Sequence, residues 1–519
     1  MSNPPTPLCS AAPNLSLRSG PPLRGVLRPA AWCPPRGDFL FARGGPSQTL
    51  PYRGSLSASL AAAFSALLLA GCSLMPDYQR PAAPVPEQWP TKVGAGETAP
   101  STDWRAFFPD PRLQAMIGAA LEHNRDLRIA VARVAEARAL YGIQDAERLP
   151  GINLGGGQTA AHIPAQLSSS GRETTTRRHD VNVGLLAFEL DFWGRVASLG
   201  SAARASYLAS AAAQRAFRLS LIAEVADAYL GLREATERAA LARATLASRA
   251  DTRQLVGKRR EVGLAGDLDY LQADGAYLAA RAELASLERQ QGQAENLLRA
   301  LVGFESPDWP AGRSLADQGI APALAADIPA TVLTRRPDIL AAEQRLIAAN
   351  ANIGAARAAF FPRISLTALF GTASPQLSGL FAAGSAAWSF QPSLTLPIFD
   401  SGRTAASLDL AAVRKNIAVA EYEKAIQQAF REVADALVAR EKLAEQLASL
   451  GALEQSQQQR LVLAEARYGQ GVSSFLEVLD AQRDVFTARQ NLIQTRRALL
   501  STAARLYKAL GGDTYEVRS

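Results

Sequence analysis

The sequence predicts a mixed, mainly α molecule in which very long, coiled-coil-like helices carry four β-strands of membrane-crossing length. Three observations lead there. Proline is missing from Ala165 to Ser306 and again after Pro397; a helix-interior proline costs about 3 kcal/mol, so such tracts permit long helices. Two pairs of short stretches alternate apolar and polar residues, the second pair more cleanly than the first. Most of the chain also occurs twice. Composition agrees: 48% of the 519 residues are hydrophobic but only 7% aromatic, and alanine and leucine, both good helix formers, supply much of the difference.

Residues 1–71 hold six Arg, no Lys and one Asp, so they carry +5 of the net +7. Little positive charge remains elsewhere, which removes the main electrostatic argument for a nucleic-acid partner. Residues 1–50 are Pro- and Arg-rich and read as an upstream extension. Arg53 then precedes an apolar run, Leu56 to Ala70, too short to span a bilayer comfortably. The run ends in Leu69-Ala70-Gly71-Cys72, which resembles a bacterial lipobox. The expectation is cleavage before Cys72 and a covalent diacylglycerol and N-acyl lipid there, with no other cofactor. The alternative is an ordinary secretory signal with a chance cysteine. Cys9 and Cys33 lie upstream, so the processed chain has no second cysteine for a disulfide. Ser73, rather than Asp, favours the outer membrane among sorted lipoproteins. The expected location is therefore the outer membrane, lipid-anchored, with the chain extending into the periplasm.

A repeat organises the rest of the chain. Glu224-Val225-Ala226-Asp227-Ala228 returns as Glu432-Val433-Ala434-Asp435-Ala436, and Gly194-Arg195 as Gly402-Arg403. The same shift of 208 takes Val262-Gly263-Leu264 to Gln470-Gly471-Val472, and Leu301-Val302-Gly303 to Ala509-Leu510-Gly511. Arg133 to Pro150 matches Arg345 to Pro362 at a shift of 212. The expected organisation is a leader (1–71), an extended lipidated segment (72–110), a first repeat (111–303), a linker (304–337), a second repeat (338–511) and a tail (512–519).

Within the second repeat Ile426, Phe430, Val433 and Leu437, then Leu443, Leu447 and Leu450, form a coiled-coil-like seam. Ile222, Val225 and Tyr229 match it in the first. One helix from about Gly402 to Tyr468 would be roughly 100 Å long; several shorter bundle helices are the alternative. Ahead of each long helix come two strand patterns. In the second repeat Ile364, Leu366, Ala368 and Phe370 alternate with polar or small residues, as do Trp388, Phe390, Leu394, Leu396 and Ile398. In the first, Ile152–Ala160 and Val181–Leu190 alternate more weakly. The expected hairpins span about 152–190 and 364–398, with loops at 161–180 and 374–386. Runs of about ten residues suit membrane strands, although a soluble hairpin with one face on a core has the same period. Four strands cannot close a barrel, and an open edge in lipid leaves N–H and C=O groups unsatisfied, so membrane strands would require copies of the chain to join.

Arg335-Arg336-Pro337-Asp338-Ile339, Ala342-Glu343, Asn352-Ile353-Gly354-Ala355-Ala356 with Phe361-Pro362, Phe192-Trp193-Gly194-Arg195, and Gly471 with Phe475-Leu476-Glu477-Val478-Leu479-Asp480-Ala481 together resemble the outer membrane factor (TolC-like) family. With the lipobox they point to its NodT-type lipoprotein branch. The resemblance covers about residues 72–512. It implies a homotrimer with a twelve-stranded β-barrel above a twelve-helix periplasmic α-barrel. It implies a periplasmic adaptor and an inner-membrane pump, usually of the resistance-nodulation-division class, and passive export of small molecules. It also implies a periplasmic gate at Tyr468, Glu477 and Asp480, with Asp269 the first-repeat counterpart of Glu477 and Gln272 that of Asp480. A carboxylate ring would select cations; solvated helix-face charges are the plainer reading. Ser473 stands where the enteric archetype has a basic latch residue, so that latch is not expected here.

Enzyme chemistry finds little support. His123, His162 and His179 have no metal-ligand spacing. Gly155-Gly156-Gly157 lacks a phosphate-loop context and suits a membrane strand. Arg335-Arg336 before Pro337 suits a helix start between repeats better than an anion site. Two other functions stay open: an exit duct for polypeptides beside an ABC transporter, and a coiled-coil spacer without a pore.

Overall fold

A computed structural model describes residues 73–89, 103–304, 308–320 and 330–512. The leader, the lipobox with Cys72, and Cys9 and Cys33 lie outside the described residues. The elements are α1 (Trp104–Phe107), α2 (Pro111–His123), α3 (Arg125–Ala146), β1 (Ile152–Ile163), β2 (Thr174–Glu189), α4 (Arg195–Glu261) and α5 (Asp267–Val302). After a 3-10 turn at Ala330–Arg335 come α6 (Pro337–Ala358), β3 (Arg363–Ser374), β4 (Ala386–Thr395), α7 (Arg403–Gly469) and α8 (Phe475–Ala509).

The duplication is drawn in full. α4 and α7 are each unbroken over 67 residues and begin and end 208 residues apart; α3 and α6 are each 22 residues. The long helices therefore run about 100 Å, and the division into shorter bundle helices does not occur. Each starts after a left-handed glycine, Gly194 (φ 68°) or Gly402 (φ 83°), a conformation that a Cβ penalises. Nearby carboxylates take the free N–H groups: Asp191 accepts from Ala197 N at 2.7 Å and Asp400 from Thr404 N at 2.8 Å. At the far end Gly263 (φ 75°) and Gly471 (φ 72°) reverse the chain into α5 and α8.

The strands form one antiparallel sheet in the order β1-β2-β3-β4, so the two hairpins join through β2 and β3. β1 and β2 are longer than the alternation predicts. The first hairpin loop is 164–173 rather than 161–180, because Thr175 pairs with His162 and Arg177 with Ala160. Thr174 to Asp180 are polar on both faces of β2, so backbone pairing rather than side-chain burial extends the ladder. β4 stops at Thr395, short of Ile398; Pro397 has no N–H to pair.

Towards the sheet the helices lie in the order α3–α4–α6–α7, and towards the tip in the order α5–α4–α8–α7. The main core is at mid-length. Ile222, Val225 and Tyr229 of α4 and Tyr422, Ile426 and Val433 of α7 are buried there with Leu113 and Ile117 of α2 and Leu506 and Tyr507 of α8. Two expectations change. The segment expected as a linker contributes Leu315, Ile320 and Leu333 to this core, and the expected extended segment contributes α1, with Trp104 and Phe107. Neither carries a periodic signal long enough to read. Asp110 holds them in place. Its buried carboxylate accepts from Arg112 N (2.8 Å), Arg313 N (2.9 Å), Tyr229 Oη (2.8 Å) and Gln318 Nε2 (3.0 Å). Burial alone raises its pKa, but these donors outweigh that and hold it below the ordinary value.

Candidate functional site

Residues paired across strands share a face, so the register sorts the sheet. On one face Leu154, Val183, Phe370 and Trp388 form a row, beside Ile152, Leu185, Ala368 and Phe390. The opposite face is mostly polar or small: it carries Asn153, Gly184, Leu369 and Ser389 in one row, Gly155, Asn182, Gly371 and Ala387 in the next, and Thr367 with Gln391. No helix covers the apolar face: Leu154 is 80% and Trp388 77% exposed. A soluble hairpin resting on its own core is thereby excluded. The apolar rows from Ile364 to Thr372 extend about 27 Å along the strand. At a tilt near 40° the height is roughly 20 Å, comparable to a membrane-barrel band. Among the described residues no helix is long and apolar enough to cross a membrane.

Both edges of the molecule are unfinished. β1 and β4 each lack one neighbour. Below them the outer helices expose apolar side chains: Ile129, Val131 and Ile143 on α3, Leu268, Leu271 and Leu278 on α5, and Leu410, Val413 and Ile417 on α7. Such rows on helices at the end of a layer mark contact surfaces.

The tip joins the two repeats. The Tyr468 hydroxyl accepts from Arg259 Nη1 at 2.9 Å, the guanidinium lies 5.6 Å from the ring centre, and Phe475 packs at 5.4 Å. Tyr468 thus holds α7 to α4. Glu477 lies 3.8 Å from Arg467, and Asp480 3.3 Å from Arg483. Both pairs are half-exposed, a setting worth little energy. Asp269 accepts from Gly266 N at 3.3 Å and so caps α5. The Ser473 hydroxyl is buried without a partner in the structure. The structure therefore brings Tyr468, Glu477 and Asp480 to one end, each beside an arginine. Sequence reasoning missed those arginines. For two of them the repeat was a signal, since the shift of 208 takes Arg259 to Arg467; Arg483 falls on Gly275 in the first repeat and had none.

Residues 73–89 run along α6 and α7. Arg357 donates to Leu74 O (3.3 Å), Asn350 to Pro76 O (2.7 Å) and Arg80 to Glu343 (2.6 Å), and Trp89 stacks on Phe430 at 4.7 Å. Arg357 is the penultimate residue of α6, so Leu74 is held where the helices meet the sheet. Arg336 is buried and donates to Ala509 O (2.8 Å), Asp338 (2.7 Å) and Glu432 (2.9 Å). It ties α6 to α7 and α8 and is taken up by its own chain. His123, His162 and His179 sit on three different elements, and no metal-holding group of side chains occurs among the described residues.

The profile of the outer membrane efflux protein family matches residues 116–304 and 328–512. The chain is 46% identical over 463 residues to the probable efflux pump outer membrane protein SepC of Pseudomonas putida, covering 87% of this chain and 96% of that one. It is 46% identical over 461 residues to outer membrane protein OprJ of Pseudomonas aeruginosa, covering 88% and 95%. The open-state crystal structure of the Neisseria gonorrhoeae MtrE outer membrane channel superposes with a TM-score of 0.78 at 38% identity, covering 85% of this chain and 99% of that one.

Proposed function

The chain belongs to the outer membrane efflux protein family, and from that premise we propose that three copies join edge to edge into one duct, through which a partner pump expels small molecules. It is the outer-membrane component of an efflux system and a transport channel rather than an enzyme. One observation carries the assembly, the number three being what the family resemblance implies: the four-stranded sheet has two open edges and an uncovered apolar face, directly above helices whose outer flanks are apolar. Unpaired strand edges in lipid are too unfavourable to persist, so neighbouring copies supply the missing partners. Twelve strands and twelve helices then enclose a lumen lined by the polar face.

In this reading the tip residues Tyr468, Glu477 and Asp480, with Asp269 beside them, form the periplasmic gate. Arg259 on Tyr468 keeps it shut. A periplasmic adaptor docks there and links the duct to an inner-membrane pump of the resistance-nodulation-division class. Cys72 carries the lipid. The path of residues 73–80 supports this, because it delivers the chain upstream of Ser73 to the end of the helices where the sheet begins.

The decisive experiment purifies the full-length protein in neutral detergent, measures its mass in solution and records currents in planar bilayers. A trimer with discrete conductance supports the duct; a stable monomer, or a trimer without conductance, overturns it in favour of a spacer. Co-purification with an adaptor and a small-molecule pump, rather than with an ABC exporter, tests the partner class. Intact mass reads the lipid directly: the processed protein carries an acyl mass that Cys72→Ser lacks.

A further inference from the structure

We propose that the cavity between α4, α5 and α8 is a binding site for a small organic anion, one negative charge on a compact apolar body, held by Arg249. The proposal does not depend on how the copies assemble, since all three helices belong to one chain and α4 lies between the other two.

The cavity is a half-open recess of about 430 Å³. Each helix lines it with one face: Thr245 and Arg249 from α4, Ala276, Ala279 and Ala280 from α5, and Phe486 from α8. The space exists because α5 lines it mainly with methyl groups, Glu283 being the one longer side chain it adds. Ala280 and Ala276 stand where any longer apolar side chain would fill it.

Arg249 is 9% exposed. Most other arginines of this stretch of α4 find carboxylates: Arg238 meets Glu234 at 3.2 Å, Arg243 meets Glu288 at 2.8 Å, Arg253 meets Asp274 at 2.6 Å and Arg260 meets Asp267 at 2.5 Å, while Arg259 donates to the Tyr468 hydroxyl. Among the described residues Arg249 has no such partner. Burial lowers its pKa with no neighbouring charge to oppose it. A buried cation without a counter-charge is strongly unfavourable, and a guanidinium fork matches a carboxylate in shape. Arg483 also reaches the wall, but it is already engaged by Asp480 (3.3 Å) and Asp484 (3.5 Å). The walls set the rest of the ligand: methyl groups and the Phe486 ring suit an apolar body. Glu283 and Asp480, also in the wall, oppose multiply charged anions and favour a single charge.

The test uses the full-length protein in neutral detergent, with benzoate, its neutral isostere benzamide, and inorganic phosphate as probes, read by calorimetry and by the shift in melting temperature. Benzoate is expected to bind and to raise the melting temperature, and benzamide and phosphate to do neither. Arg249→Gln is expected to weaken benzoate at least tenfold, Arg249→Lys less. Ala280→Leu fills the cavity while keeping the charge, and is expected to exclude benzoate as well. Benzoate binding unchanged in Arg249→Gln or in Ala280→Leu overturns the site, as does benzamide or phosphate binding as tightly as benzoate.

Discussion

The Asp110 carboxylate accepts hydrogen bonds from three separate segments, so its replacement reaches further than one contact. Asp110→Asn is expected to cost about 2 kcal/mol, because a neutral amide cannot accept from every donor now satisfied. Chemical denaturation at pH 7 checks this. The folded-state pKa of Asp110 lies below its ordinary 3.8. Its contribution is therefore complete above that value and is lost as pH falls through the folded one. The difference between parent and Asp110→Asn is expected to shrink below pH 4. At the tip, the double change Glu477→Gln with Asp480→Asn is expected to abolish cation preference in bilayer currents. Arg259→Gln is expected to raise open probability by freeing Tyr468. Unchanged selectivity would return the two carboxylates to the status of solvated surface charge. The sequence placed Tyr468 and Glu477 at the tip but said nothing of Arg259, whose partner is 209 residues away and shares no local pattern with it.

Among the elements, the long helices were the most legible, because a proline-free tract and a repeated seam are dense signals. The expected span from Gly402 to Tyr468 is observed one residue further on. The strands were legible only where one face is apolar; Thr174 to Asp180 pair through their backbones, and side-chain pattern is silent about that. The core contributions of Leu315 and Ile320 come from irregular backbone and that of Leu333 from a single 3-10 turn, segments too short to show a period. One strand feature makes a sharp prediction. A Cβ added at Gly184 would meet Ala368 O, and one at Gly371 would meet Val181 O. β2 and β3 approach too closely there for any side chain. Gly184→Ala is expected to separate the two hairpins, so that gel migration in mild detergent shows loss of the assembled species while helical content by circular dichroism stays within about a tenth of the parent. That tolerance reflects an α-helical core independent of the sheet.

For the whole molecule, the open edges are the controlling feature. A single charge on the outer flank of α3, as in Val131→Glu or Ile143→Glu, disturbs few contacts within the chain, since both side chains are more than half exposed. It is expected nevertheless to weaken assembly at least tenfold in a concentration series followed by light scattering, because the charge must be desolvated between copies. Equal assembly by parent and variant would place the seam elsewhere. The equal length of α4 and α7 has a further consequence. Both copies of the repeat contribute a column of the same height, so the rim formed at the far end is level. Lengthening one column alone would tilt that rim and spoil its fit to anything seated upon it. Reach across a wider compartment must therefore change in matched pairs of insertions, one in each half of the gene, which makes the spacing between the two membranes a quantity this architecture can alter only in coordinated steps.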